Sequence, residues 1–514
     1  MINLHYVCFH IFIQKNVKGI YKLMEKINLK ENVKMEVIIE KIKKILFDYK
    51  ISNYTISKNT GISQSMLSMI FNYKRKIQPV HFYSIIEQLP ITLSEKDNLI
   101  DEFKKAYYSY DEYMSFKYII DMFKQLSDFT VSDGIRARQP IMDNIETAFD
   151  NKIYRGPDIS LVINRLFADE FNNANSKIYM YLGFDSENSL LHSCIDSIIK
   201  QFEHSTKIVM LIDFINDTEN TAYNLKTLKN ILPVALSDYS QSYEFYYTNV
   251  DSAINNNYLI PYPYFIALSN FVIFINASQD EILLHSHPDT VKNIRARCEG
   301  RVVNYTKLMD INSNIFSIVS EIVKNQGDSN DIFCSLEYEP CMSLHFTPEL
   351  VDSVIPKDAP LREEVFNVLM LRLKQLKSFK QSIQIFNKDA LLNFANTGMI
   401  AEYPPEYARP LTVEERLFIL DNLLKCAKSG KHTFRVLNPA NLLISDCVSM
   451  YQSNGFVQFT MWNSKKADLK YYTIFEKTIY ESFYKFMKDI PDSNYVFSNV
   501  ETIKIIEEAI SSLK

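Results

Sequence analysis

The stretch Thr55-Ile56-Ser57-Lys58-Asn59-Thr60-Gly61-Ile62-Ser63-Gln64-Ser65-Met66-Leu67-Ser68-Met69-Ile70-Phe71-Asn72 reads as two short helices joined at one glycine. Gly61 stands where the chain needs a left-handed turn residue, Ile62 can plug the turn, and Ser63 can cap the next helix. Beyond it, Leu67, Ile70 and Phe71 recur at i, i+3, i+4 spacing and form the face that must be buried. Gln64, Ser65, Ser68 and Asn72 are left on the polar side. Tyr73-Lys74-Arg75-Lys76 follows directly, so three cations and an aromatic close the segment. A polar-faced helix behind a tight turn, followed by cations, has the form of a helix that enters the DNA major groove and meets phosphates at its end.

Over about residues 35–93 this segment resembles the helix-turn-helix of the Xre, or lambda-repressor-like, family of bacterial transcriptional regulators. Ile56 and Ser57 take the apolar and small positions that precede the turn, with serine where the family usually has alanine. Gln64 matches the glutamine that opens the family's recognition helix, and Asn53 matches the polar residue paired with it. The resemblance implies that Gln64, Ser65 and Ser68 approach base edges, supported by Asn53, while Asn72, Lys74, Arg75 and Lys76 hold phosphates. It further implies double-stranded DNA as partner, a pseudo-palindromic operator, a homodimer and a cytoplasmic setting.

With 514 residues, the chain is far longer than one DNA-binding domain, and about one domain per 150 residues suggests three or four units. Hydrophobic residues at 47% and charged residues at 23% provide for a sizeable core. The net charge of -5 argues against a protein that coats nucleic acid. Residues 35–79, however, hold eight lysines and arginines against three acids, a local balance of +5 that suits a modular DNA contact. Only 10 glycines are present and none cluster, which removes phosphate-cradling loops and dinucleotide folds. Seven scattered cysteines, the closest pair being Cys334 and Cys341, spell neither a disulfide framework nor a zinc site. No cofactor is expected. The apolar opening of about 13 residues is too short to span a bilayer and lacks a cleavage site. Residues 1–34 read as a start-site extension, and no membrane partner is expected.

The predicted organisation is multidomain. An all-α helix-turn-helix head (35–93) leads through a helical connector (94–156) into an α/β region of two units, 157–323 and 332–514. In the first unit, helices at 161–171, 190–202, 224–236 and 290–301 alternate with strands at 178–182, 208–212 and 243–248 and a hairpin of 265–275 with 281–285. That order loosely resembles the phospholipase-D-like half-domain, which some regulators use as a non-catalytic ligand sensor. The family's catalytic signature places lysine two residues after histidine, and none of the nine histidines here is followed that way. Lengths and element order in 332–514 are compatible with a diverged copy of the first unit, with too little identity between the halves to claim a repeat.

Two clusters could carry chemistry. His285-Ser286-His287-Pro288-Asp289 puts two histidines on one side of a strand end, but a third ligand is unassigned and no metal is expected. The Pro-rich stretch 394–409 places Asn396, Tyr403, Glu406, Tyr407 and Arg409, with Thr397 and Glu402, on irregular backbone and is the expected ligand pocket. No nucleophile elbow or acid–base constellation is spelled out, so the chain reads as a regulator with an unknown small-molecule or protein effector, not an enzyme. The alternatives are a hydrolase-like enzyme with a DNA-binding head and a protein-interaction adaptor.

Overall fold

The computed structural model describes residues 35–127, 152–172, 176–182, 206–216, 220–236, 243–250, 261–312, 332–400, 403, 405–453, 455–463 and 468–513. The 1–34 leader, the 190–202 helix and Glu402 lie outside them. The chain divides into two compact units, Met1–Tyr113 and Met114–Lys514.

In the first unit, α1 (Met35–Asp48) buries Ile38, Ile39, Ile42 and Leu46. It packs with α2 (Asn53–Thr60), α3 (Gln64–Phe71), α4 (Pro79–Glu87) and α5 (Leu93–Tyr107) around one core. Pro79 starts α4 at its first turn, where a missing N–H costs nothing. Helix α5 opens with a reciprocal capping box between Thr92 and Glu95. Its Leu99, Ile100 and Phe103 join the core, with Phe103 stacked on Phe82 at 3.8 Å between ring centroids. The compact head therefore extends past the sequence boundary at Leu93, because the core closes only when α5 covers it. Helix α6 (Tyr110–Ser127) begins at the end of this unit.

The second unit is a mixed α/β body with two sheets. Its first half runs β1 (Ile153–Arg155), α7 (Pro157–Phe171), β2 (Lys177–Tyr181), β3 (Lys207–Ile215), α8 (Thr221–Ala235), β4 (Tyr243–Val250), β5 (Tyr264–Ala267), β6 (Val272–Ile275), β7 (Glu281–His285), α9 (Pro288–Asn304) and β8 (Thr306–Lys307). The expected single strand over 265–275 is two strands, since the chain turns between Leu268 and Phe271. The second half runs β9 (Met309–Asn312), β10 (Ile332–Glu337), a 3-10 turn (Met342–His345), α10 (Pro348–Val354), α11 (Arg362–Ser378), β11 (Gln381–Phe386), α12 (Lys388–Thr397), α13 (Val413–Ser429), β12 (Thr433–Val436), β13 (Val448–Ser453), β14 (Phe456–Asn463), β15 (Asp468–Ile474), α14 (Lys477–Asp489) and α15 (Asn499–Ser511).

The sheet orders are β1-β7-β6-β5-β2-β3-β4-β8 and β12-β11-β10-β13-β14-β15-β9. In each, three parallel strands follow in chain order, β2-β3-β4 and β10-β11-β12. An antiparallel run then leaves from the first of the three, β5-β6-β7 and β13-β14-β15. The strand preceding each set, β1 or β9, closes the far edge. The halves thus share one topology, which the sequence could not establish.

The two halves also share one core. Ile178, Met210 and Ile273 of the first sheet belong to the same buried cluster as Leu336, Ile385 and Phe459 of the second. A closed polar knot ties the halves at this level. Asn224 accepts from Ile215 N at 2.9 Å and donates to Ile215 O at 3.0 Å and to Thr478 Oγ1 at 2.8 Å, so its amide is fully used. The expected boundary between 323 and 332 does not separate two bodies, because the inner faces of both sheets bury the same apolar surface. No described helix is long and apolar enough to cross a membrane.

Candidate nucleic-acid interface

Helices α2 and α3 each open on a capping serine. Ser52 Oγ accepts from Thr55 N at 3.1 Å and Ser63 Oγ from Met66 N at 3.2 Å, so amides that the helices cannot use are satisfied. Between them Gly61 adopts φ +74°, and its N–H donates to Ser57 O at 2.9 Å. An L side chain would be strained there. Ile62 is buried under the turn, and Thr60 Oγ1 links Ile56 O to Ile62 N.

Helix α3 has the two faces its spacing predicts. Leu67 and Ile70 are wholly buried and Phe71 is buried at 6% exposure, whereas Gln64, Ser65 and Ser68 are exposed. Neither Gln64 nor Asn53 has a hydrogen-bond partner among the described residues, so the pairing implied by the family resemblance is not made. Each opens its own helix, where the capping serines already satisfy the free amides, and both side chains face outward. Asn72 caps the C-terminus. Its amide donates to Ser68 O at 2.9 Å and to Ser68 Oγ at 3.3 Å.

After Asn72 the backbone reverses at Tyr73, which takes φ +59°. Its hydroxyl donates to the Glu40 carboxylate, which also accepts from Lys43 at 2.7 Å. That hydrogen bond pushes the Tyr73 phenol up to about 12, and Lys43 together with Tyr73 holds Glu40 below its ordinary range. The latch fixes the loop that follows against α1. Lys74, Arg75 and Lys76 are all exposed. Lys74 and Arg75 have no ion pair among the described residues, in contrast to Lys41, which pairs with Glu102 at 2.6 Å. Lys76 lies over the Tyr107 ring at 4.1 Å, a position that fixes its charge without neutralising it. Exposed polar groups on α3 and exposed cations just beyond it therefore occupy one continuous stretch of surface chain.

The expected ligand loop is put to structural use. Asn396 lies on the last turn of α12, not in irregular chain, and is exposed. Gly398 ends that helix at φ +72°, and a Cβ there would meet Leu411 O at 2.4 Å, so the loop's entry is closed to any other residue. Tyr403 is buried with its hydroxyl 2.5 Å from Ser343 Oγ. Glu406 is exposed and Tyr407 half-buried. Arg409 makes a two-pronged ion pair with Glu415 at 2.7 and 2.8 Å, which holds Glu415 below and Arg409 above their usual ranges. Tyr403 and Arg409 thus tie the loop to its surroundings. His285 and His287 stand 6.4 Å apart between ring centroids, and no group of three metal-binding side chains occurs among the described residues.

Sequence reasoning missed a different set of residues. The outer face of the second sheet carries Ser335, Gln384, Tyr451 and Gln458, all buried. The signal was the alternation in Gln381-Ser-Ile-Gln-Ile-Phe386 and Phe456-Val-Gln-Phe-Thr-Met461, which ordinarily marks a strand with one face in water.

No family model matches the chain, and no curated protein matches it. Among solved structures, phosphatidylserine synthase from Haemophilus influenzae Rd KW20 is similar at 12% identity, with 69% of this chain and 90% of that one covered and a TM-score of 0.22. TrmBL2, an archaeal chromatin protein described as showing a novel mode of DNA binding, is similar at 10% identity over 52% of this chain and 100% of its own, with a TM-score of 0.20. Scores this low carry no argument about this chain.

Proposed function

We propose that the protein is a sequence-specific DNA-binding transcriptional regulator of the Xre, or lambda-repressor-like, kind, whose α/β body senses a small molecule or a protein partner. The observation that carries this reading is the division of α3. Leu67, Ile70 and Phe71 hold the helix to the core while Gln64, Ser65 and Ser68 face outward, and the unpaired Lys74 and Arg75 follow. In this reading Gln64, Ser65 and Ser68 face base edges and Asn72, Lys74, Arg75 and Lys76 face phosphates. A homodimer in the cytoplasm binds a two-fold operator, and the chain is not an enzyme. The duplicated α/β topology accords with a non-catalytic, phospholipase-D-like sensor body.

A genome-wide map of bound sites supplies the operator, and variants then test the residues. Changing Lys74, Arg75 and Lys76 together to alanine should weaken specific and non-specific binding alike. It should also flatten the slope of log affinity against log salt by up to about 0.9 per lost contact. Gln64→Ala should cost ~1–3 kcal/mol of preference at one base pair per half-site. An unchanged salt slope in the triple variant, or unchanged base preference in Gln64→Ala, would overturn the assignment.

A further inference from the structure

The register of the second sheet lines up hydrogen-bonding side chains across five strands. Gln384 pairs with Ser335, Ser335 with Tyr451, Tyr451 with Gln458, and Gln458 with Thr473. Paired residues point to the same side, so these five form one transverse row on the face turned away from the apolar core. Every one of them is buried, with Ser335 and Gln384 at 0% exposure. Glu337 and Thr460, each two residues along its strand from the row, widen the polar band on the same face.

A buried polar face is stable only if its groups find partners. Several do. Gln384 Oε1 accepts from Cys341 N at 3.2 Å, Gln458 Nε2 donates to Thr473 Oγ1 at 2.9 Å, and Tyr451 OH donates to Glu337 at 2.8 Å. Others do not. Ser335 Oγ and Thr460 Oγ1 on the face, and His345 Nε2 from the 3-10 turn that covers it, are fully buried with no partner among the described residues. The cover brings aromatic surface as well. Phe379, just after α11, stacks on Phe333 at 5.4 Å, the Arg372 guanidinium lies 5.6 Å from the Tyr451 ring, and His345 stands 6.2 Å from Phe434. Small-molecule sites are commonly lined by aromatic surface with a few polar groups.

The corresponding face of the first sheet shows that the topology does not require this. There Tyr179, Val209, Leu211, Ala267 and Val272 form an apolar cluster sealed by Val291 and Cys298 of α9. Polar groups on that face are partnered, as where Tyr181 OH donates to Asp213 at 2.6 Å; the second half differs in burying hydroxyls with no partner among the described residues.

We infer that the outer face of the second sheet, around Ser335, Tyr451 and Thr460, is the binding site for a small uncharged molecule rich in hydroxyl or amide groups. The class follows from the lining. Glu337 and Arg372 are opposite in sign, and the other groups are neutral donors and acceptors. A ligand with net charge would bury that charge without a counterpart. The biological role as an effector site rests on the sensor reading given above; the site itself does not.

The test is thermal unfolding of the full chain with a panel of uncharged sugars, polyols and nucleosides at millimolar concentration, with DNA binding measured on the same protein. At least one panel member should raise the midpoint saturably by about 2 °C or more. The shift should vanish in Ser335→Ala/Thr460→Val, whose ligand-free midpoint should stay near that of the wild type. Gln458→Leu offers a second variant should the double one not fold, and should likewise lose the shift. No shift with any panel member, or a shift that survives in both variants, overturns the site. A failed panel with intact DNA binding leaves the regulator reading standing, whereas ligand binding without DNA binding leaves the site and removes the regulator.

Discussion

On the outer face of the first sheet, Leu211 and Val272 meet Val291 and Cys298 of α9; on the outer face of the second, Ser335, Gln384 and Gln458 lie beneath α11 and the 3-10 turn at Met342–His345. Strand order and inner core are common to both halves. The difference shows that a duplicated topology constrains the surface where the copies meet more than the faces turned away from it. The inner faces must fill one shared core, so both stay apolar. Each outer face answers only to its own cover: the first keeps an apolar cluster under α9 beside its Tyr181–Asp213 hydrogen bond, and the second buries a row of polar side chains.

The largest effect should come from the face that the halves share. Phe459 is fully buried on the inner side, 5.7 Å from Phe483. Phe459→Ala should lower stability by about 3–5 kcal/mol, read as a drop in urea midpoint at constant slope. Leu211→Ala, on the apolar outer face of the first sheet, should cost about 2–5 kcal/mol for the same reason. If either variant unfolds at the wild-type midpoint, that side chain is not packed as its burial indicates.

A middle-sized effect depends on pH. Burial pushes the His345 imidazole down from 6.5 to about 4, so the folded protein holds it neutral while the unfolded chain takes up a proton first. The stabilisation is present above about pH 6.5 and is lost as pH falls toward 4, amounting to about 3 kcal/mol across that window. His345→Gln should flatten the wild-type fall in stability between those limits. A slope identical in both proteins would show that His345 is not shielded by its cover.

The smallest effect should separate the outer faces most sharply. Ser335→Ala and Thr460→Val each remove a buried hydroxyl that has no partner among the described residues, so the ligand-free protein should change by less than about 1 kcal/mol and can gain stability. A loss as large as that of Leu211→Ala would mean that these hydroxyls hold the sheet together, and the contrast between the two outer faces would collapse.

The head was legible from sequence because its determinants are local. Ser63, Gly61 and the Leu67, Ile70, Phe71 spacing act within one or two helical turns, and the structure caps, turns and buries them as read. What lay beyond reach was longer in range. Helix α5 joins the head through contacts distant in sequence, such as Phe103 stacked on Phe82 across 21 positions. The pairing of Arg409 with Glu415 across a helix start was likewise not readable from the loop's composition. The repeat emerges only from strand order, since backbone pairing tolerates divergence that sequence identity does not.

The second sheet marks the division most clearly. Its alternation of polar and apolar residues determined that 381–386 and 456–461 would be two-faced strands, because side chains on a strand point to opposite sides in turn. Which face would meet water was not in the strands at all. That was decided by α11 and the 3-10 turn before it, which close over the polar side through Phe379, Arg372 and His345. Periodicity records only that two faces differ, and burial depends on what the rest of the chain lays across them.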